Sequence, residues 1–265
     1  MSEAKYVSTT HNQRAVRYIE ADLDAIKIEG IKGKSVRDSG KYGVNGTFFY
    51  GTKLTGIAVN RNANGKSEPV LEGGGSTSGV NYNGKVIPSK RGTMYYFNPP
   101  AGRIIFDDKP VRDYLDYPNS STSNVVWAIG GYSLFPVKNY KSSDEYYSDI
   151  NGKGSTTKQP TENSENAYRF EPTNRTARTA IGFKHTNSKS KIILAVFESE
   201  TAWEVRSFMK GLYCTSAIML DGGGSSQMRY KTSRGTTEFW CPKPDRNNKI
   251  REVHSMVTVN ASKWV

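Results

Sequence analysis

Asp221 is followed by Gly222, Gly223, Gly224, Ser225 and Ser226, and it stands at the end of SAIML (216–220), an apolar run that reads as a buried strand. Glycines let a backbone approach a ligand closely, and successive N–H groups in such a turn form an anion-binding concavity. The segment lacks the spacing of a P-loop and of a GxSxG nucleophile elbow. By itself DGGGSS describes a tight turn more often than a site.

A second carboxylate gives it chemical meaning. Glu198 ends another apolar run, KIILAVFE (191–198), and a helix is predicted between the two runs. Thr201 and Glu204 have capping-box spacing, and Val205, Phe208, Met209 and Leu212 fall at i, i+3, i+4 and i+7. Strand, helix and strand in succession predict a right-handed crossover with both strands parallel, so Glu198 and Asp221 emerge at one C-terminal edge. The pair would sit roughly 5 Å apart on neighbouring strands and about 10 Å apart with one strand between them. Glycosidic cleavage uses carboxylates at such distances, one to protonate the leaving oxygen and one to activate water or attack the sugar. Glu198 equally suits a helix or turn cap.

The elements that must position these residues are mostly strands. Short β-branched and aromatic runs bounded by Gly and Asn occur at 44–50, 54–60, 93–97, 103–106, 125–131, 133–137, 179–185, 191–198, 216–220, 227–231 and 253–260. The runs at 179–185 and 191–198 read as a hairpin. RAVRYIEADLDAIK (14–27) is a weaker helix candidate whose alternation would also suit a strand. The expected class is α+β: a strand-rich mixed twisted sheet with few helices and at least one βαβ unit over 191–221. Residues 138–176 are polar and almost without aliphatics, which predicts a loop or lid, and 71–79 reads as a Gly-rich loop.

A chain of 265 residues can bury a sizeable core, and one domain over 1–265 is expected. Its formal charge of +12 favours an anionic partner. Seven basic residues (Arg229, Lys231, Arg234, Lys243, Arg246, Lys249, Arg251) face only Glu238 and Asp245 in the stretch just after DGGGSS. Cys214 and Cys241 lack metal-ligand spacing and are expected to be reduced. His11, His185 and His254 are scattered, which argues against a zinc centre or a histidine triad. No stretch approaches a membrane span and no secretory signal is seen, so the expected setting is cytoplasmic.

Several segments in order, VNGTFF (44–49), AIGGYSLF (128–135), RTARTAIGF (175–183), MLDGGGSSQM (219–228) and REVHSMVTV (251–259), resemble the phosphodiester glycosidase family, which has bacterial and phage members. The resemblance covers about 40–260. It implies hydrolysis of a sugar-1-phosphodiester, releasing the sugar and leaving a phosphomonoester. It marks Asn45, Arg178, Thr179, Asp221, Gly222, Gly223, Gly224, Ser225, Ser226 and Arg251 as site residues. Arg178 and Arg251 would grip phosphate by forked hydrogen bonds, while Asp221 or Glu198 serves as acid, base or nucleophile. The chain departs from the family at Glu198, where members often have Asp before Gly-Arg. It departs also at Thr47, in place of the second glycine of NGGFF, and at Glu252, in place of the proline of RPV.

The expected function is therefore a hydrolase acting on a phosphate-linked sugar, with a nucleotide sugar or nucleotide-derived signal suited to a viral or cytoplasmic setting. The expected partner is a small anionic phosphate-sugar or nucleotide, with neither membrane nor nucleic acid. No cofactor is expected, though oxygen ligands around Asp221 would suit calcium or magnesium. The alternatives are a binding protein that kept the pocket and lost turnover, a nucleic-acid binder resting on charge and aromatic strands, and cell-wall or virion attachment.

Overall fold

The computed structural model describes residues 1–76, 91–97, 103–107, 113–115, 121, 123–151, 172–185, 189–245 and 247–265. In chain order the first strands are β1 (Glu3–His11), β2 (Arg14–Asp22), β3 (Ile26–Lys34), β4 (Gly43–Asn45), β5 (Phe49–Tyr50), β6 (Lys53–Leu54), β7 (Ala58–Arg61) and β8 (Ser67–Pro69). Then come β9 (Arg91–Phe97), β10 (Arg103–Asp107), β11 (Val125–Ser133), β12 (Thr176–His185), β13 (Ser190–Glu200) and β14 (Cys214–Met219). The last are β15 (Met228–Lys231), β16 (Thr237–Trp240), β17 (Val253–Val259) and β18 (Lys263–Trp264); the helices are α1 (Ser143–Ile150) and α2 (Ala202–Gly211).

The large sheet has the order β10-β9-β11-β14-β12-β13-β2-β1-β18, with β7 paired to β11 and β8 to β7. A second sheet runs β16-β15-β4-β17-β3. The strand-rich α+β class read from the sequence is the observed one. Strand β13 shows how the layers are held. Ile192, Leu194 and Val196 pack with Ile28, Val44, Met228 and Val257 of the second sheet. Ile193, Ala195 and Phe197 turn the other way, onto Ala202, Val205 and Met209 of α2. Both faces are dry, which is why the strand is a continuous apolar run and not an alternating one. Each fully buried Val, Leu, Ile, Phe or Met among them contributes about 1.5–3 kcal/mol.

The capping box that starts α2 is present: the Glu204 N–H donates to the Thr201 hydroxyl, and the Thr201 N–H donates to the Glu204 carboxylate. The predicted hairpin is also present, with Thr179 opposite Val196 and Ile181 opposite Leu194. Both β13 and β14 run antiparallel to β12, so they are parallel to each other with β12 between them.

Other expectations change. The 14–27 stretch is strand β2, a short 3-10 turn and the start of β3. Strand β2 lies between β13 and β1, where ladders on both edges and burial of Val16 on one face and Ile19 on the other outweigh its helical pattern. The 133–137 run is not a strand, because β11 ends at Ser133 and Phe135 turns the chain at φ +46°. Strand β1 had no counterpart in the sequence reading; it is a half-exposed strand near the sheet edge with little apolar pattern. Part of the polar 138–176 stretch is helix α1, which buries Tyr146, Tyr147 and Ile150; 152–171 lies outside the described residues.

Candidate active site

The DGGGSS loop forms where the end of β14 in the large sheet meets the end of β4 in the second. Main-chain bonds hold its entry: the Leu220 N–H donates to the Thr179 carbonyl at 2.8 Å and the Asp221 N–H to the Gly46 carbonyl at 3.2 Å. Asn45 lies beneath, fully buried. Its Nδ2 donates to the Asp221 carbonyl at 2.7 Å, and its Oδ1 accepts from the Thr179 hydroxyl at 2.8 Å and the Gln227 N–H at 3.1 Å. Both ends of the amide are thus engaged, so Asn45 and Thr179 form the floor that fixes the loop.

Within the loop, Gly223 has φ +61°, a conformation that favours glycine. Gly222 packs so tightly on β12 that an added Cβ would lie 3.2 Å from the Ala177 carbonyl oxygen. The N–H groups of Gly222, Ser225 and Ser226 bond inside the turn, to the Asp221 carboxylate and to the Gly222 and Gly223 carbonyls. Those of Gly223 and Gly224 have no partner among the described residues. The hydroxyls of Ser225, Ser226 and the adjacent Ser255 are buried without a hydrogen-bond partner. Buried polar groups in that condition call for water or a ligand.

Burial raises the Asp221 carboxyl above the usual aspartate range, against the opposing pull of the Ser225 hydroxyl, the Arg251 charge and the Gly222 N–H. The Ser225 hydroxyl faces the carboxyl without reaching full hydrogen-bond geometry.

Two arginines flank the loop. Arg178 leaves β12 on one side, its Nε donating to the Glu200 carbonyl at 3.2 Å and its Nη2 to the Asn174 carbonyl at 3.1 Å. Its Cδ lies 3.8 Å from the position a Gly222 Cβ would take. Burial lowers its pKa, while Tyr147, Tyr146 and Tyr132 favour its charge. Arg251 lies on the other side, its guanidinium 5.3 Å from the Phe49 ring and its Cδ 3.7 Å from the Cβ position of Gly224. Its backbone is fixed by Gln227, whose Nε2 donates to the Arg251 carbonyl at 2.7 Å and whose Oε1 accepts from the Val36 N–H at 2.9 Å. Sequence reasoning missed Gln227; its place in the tail of the motif was the one available signal.

Glu198 does not join this group. It is exposed, and its Oε2 accepts the Ala15 N–H at 2.9 Å, reaching toward β2 and away from β14. The cause is local. Between the pairs Arg178–Phe197 and Thr176–Glu200 the register shifts, so β13 has one more residue than β12 there. The β2 ladder ends at Phe197–Val16, and the Glu198 side chain takes the next N–H of β2.

Glu200 is instead the buried carboxylate of that strand end. It lies 3.2 Å from His11 Nδ1 and 3.6 Å from an Arg175 nitrogen. Burial and the adjacent Glu204 push its pKa up to about 8. Glu204 is held down despite its own burial by hydrogen bonds from Glu200, Thr201 and Arg175.

The departures from the family pattern are accommodated. The Thr47 hydroxyl donates to the Gly130 carbonyl at 2.8 Å, and Gly56 makes the room, since a Cβ there would stand 2.0 Å from the Thr47 hydroxyl oxygen. Glu252 is exposed, and the two cysteines are free.

Fold and site together define a strand-rich α+β protein with an acidic Gly-Ser loop between two arginines. The chain belongs to the phosphodiester glycosidase family, whose model it matches over residues 41–260. Among solved structures it is similar to the catalytic domain of zebrafish N-acetylglucosamine-1-phosphodiester alpha-N-acetylglucosaminidase, described as auto-inhibited by its pro-peptide. That likeness has a TM-score of 0.57 at 17% identity and covers 98% of this chain and 82% of that one. A Burkholderia pseudomallei protein has a TM-score of 0.43 at 14% identity, covering 93% and 74% of the two chains. A Synechocystis protein has 0.39 at 12%, covering 96% and 61%. No curated protein sequence matches the chain.

Proposed function

We propose that the protein hydrolyses the glycosidic bond of a sugar-1-phosphodiester. One observation carries this reading: a carboxyl of raised pKa, acted on by the Arg251 charge, opens a loop flanked by Arg178 and Arg251 that holds unpaired N–H groups and serine hydroxyls. The arginines and the loop would hold the phosphate. Water attacks the anomeric carbon, Asp221 takes its proton, and the bond from that carbon to the phosphate oxygen breaks with its electron pair leaving on the phosphate. A carboxylate whose pKa lies nearer the working pH is better suited to proton abstraction.

A phosphate leaves as a stabilised anion and, unlike a sugar alkoxide, needs no proton donor. This supports a site at which Asp221 acts without Glu198. The single carboxylate at the loop also favours a second reading, a protein that sequesters the same ligand without turnover. A panel of sugar-1-phosphodiesters assayed for released sugar separates the two: cleavage that is lost in Asp221→Asn supports the enzyme. Thermal stabilisation by ligands that emerge intact supports the binder.

A further inference from the structure

Beside the loop, on its Arg251 flank, lies an open pocket of about 590 Å³. Its lining includes Phe49, Gly224, Lys243, Lys249, Arg251 and His254, so the Gly-Ser loop contributes Gly224 to its wall. Lys243 ties the two together: its Nζ donates to the Thr176 hydroxyl at 3.3 Å, and its carbonyl oxygen lies 3.7 Å from the Cβ position of Gly224.

We propose that this pocket binds a leaving group that carries a second phosphate, so that the substrate is a sugar joined through a diphosphate, as in a nucleoside diphosphate sugar. The proposal rests on the function proposed above, which gives Arg251 to the scissile phosphate. Lys243 and Lys249 then remain for further negative charge, and both ammonium-bearing chains are exposed at the pocket. The two carboxylates of the lining do not cancel them equally. Asp245 is committed to its own turn, where Oδ1 accepts the N–H groups of Asn247 at 3.1 Å and Lys249 at 2.9 Å. Glu252 belongs to the rim beside Gly33, 3.6 Å from its Cβ position.

The pocket is matched to phosphate and not to a planar ring. Its one lining phenylalanine, Phe49, is already covered, by the Arg251 guanidinium at 5.3 Å and by the tilted His254 ring at 4.7 Å. Two lysines on a flexible-stemmed scaffold are point charges, which suit a chain of phosphates better than a single forked contact would.

Two measurements on the full chain test this. Calorimetric titration with inorganic pyrophosphate and with inorganic phosphate is expected to show pyrophosphate binding about tenfold or more tighter, with the preference lost when Lys243 and Lys249 are both changed to Ala. Equal binding of the two anions, binding of neither, or a preference that survives the double substitution overturns the proposal. Hydrolysis is then compared for one sugar carried on an alkyl phosphodiester and on a nucleoside diphosphate. Lys249→Ala should lower kcat/KM for the diphosphate about tenfold more than for the alkyl diester. Equal losses count against the pocket. Should the wild-type chain cleave neither substrate, the proposed hydrolysis fails while the pyrophosphate titration still decides the pocket.

Discussion

The ends of β13 and β14 are parallel strand ends in one sheet, and each carries a carboxylate, yet they have opposite surroundings. At the end of β14, the chain is gripped from the second sheet by Asn45 and Gly46 and turns into a glycine loop that exposes N–H groups. At the end of β13, a register shift sends Glu198 outward to finish the β2 ladder and buries Glu200 beneath His11, against the first turn of α2. A carboxylate at the C-terminal edge of a sheet is therefore not a site by position. What distinguishes Asp221 is the second sheet below it, the Arg251 charge, and a loop that Arg178 flanks on its other side.

The comparison is broken most directly at Asp221. Asp221→Asn should cost about 10²–10⁴-fold in kcat on any sugar-1-phosphodiester that the protein cleaves, with little change in Tm. Full activity in that variant would remove the distinction between the two strand ends. Asn45→Ala should cost about 2–4 kcal/mol of stability, because the Asp221 carbonyl, the Thr179 hydroxyl and the Gln227 N–H lose their buried partner. Denaturant midpoints would measure it, and a loss under 1 kcal/mol, on the order of one ordinary hydrogen bond, would show that the floor is not what holds the loop.

Arg251→Ala is expected to lower kcat/KM about tenfold to a hundredfold, by loss of charge-assisted hydrogen bonds to phosphate. Steady-state kinetics with one diester would show it. The pH response sharpens the contrast further. Glu200 has its pKa raised to about 8, so the folded chain holds that proton more tightly than the unfolded one. Stability from this group is present below the ordinary glutamate range and falls as pH rises through about 8. Melting curves across that window should slope downward for the wild type and flatten in Glu200→Gln. Asp221 should shape activity in the other sense: as the proposed base, with its pKa raised, it must lose its proton, so the acid limb of kcat/KM should lie above the usual aspartate range. The smallest effect is reserved for Glu198→Ala, which should leave kcat/KM within about twofold, as surface substitutions remote from the chemistry do. A loss beyond tenfold there would restore Glu198 as the partner acid.

Much of the frame was legible. The hairpin of β12 and β13, the capped helix α2 and the strand before DGGGSS all show in local pattern, because β-branched runs and capping residues act within a few positions. Strand β1 was not legible and 14–27 reads as either helix or strand, since their state depends on neighbours far along the chain: Ala4 pairs Trp264, and Val16 pairs Phe197. For the site, DGGGSS and RTAIG carried the loop and Arg178, while Gln227 showed only as the tail of the motif and Lys243 only as one of seven basic residues after it.

The chemistry on offer is already written in the chain: an acidic residue before three glycines and two serines, arginines at 178 and 251, and an excess of positive charge after the loop. Which carboxylate stands at the loop follows from the packing of distant strands. Register and burial are set by pairing between distant strands, and one extra residue in β13 turned Glu198 toward β2 while Asn45, from another sheet, closed over the backbone of Asp221.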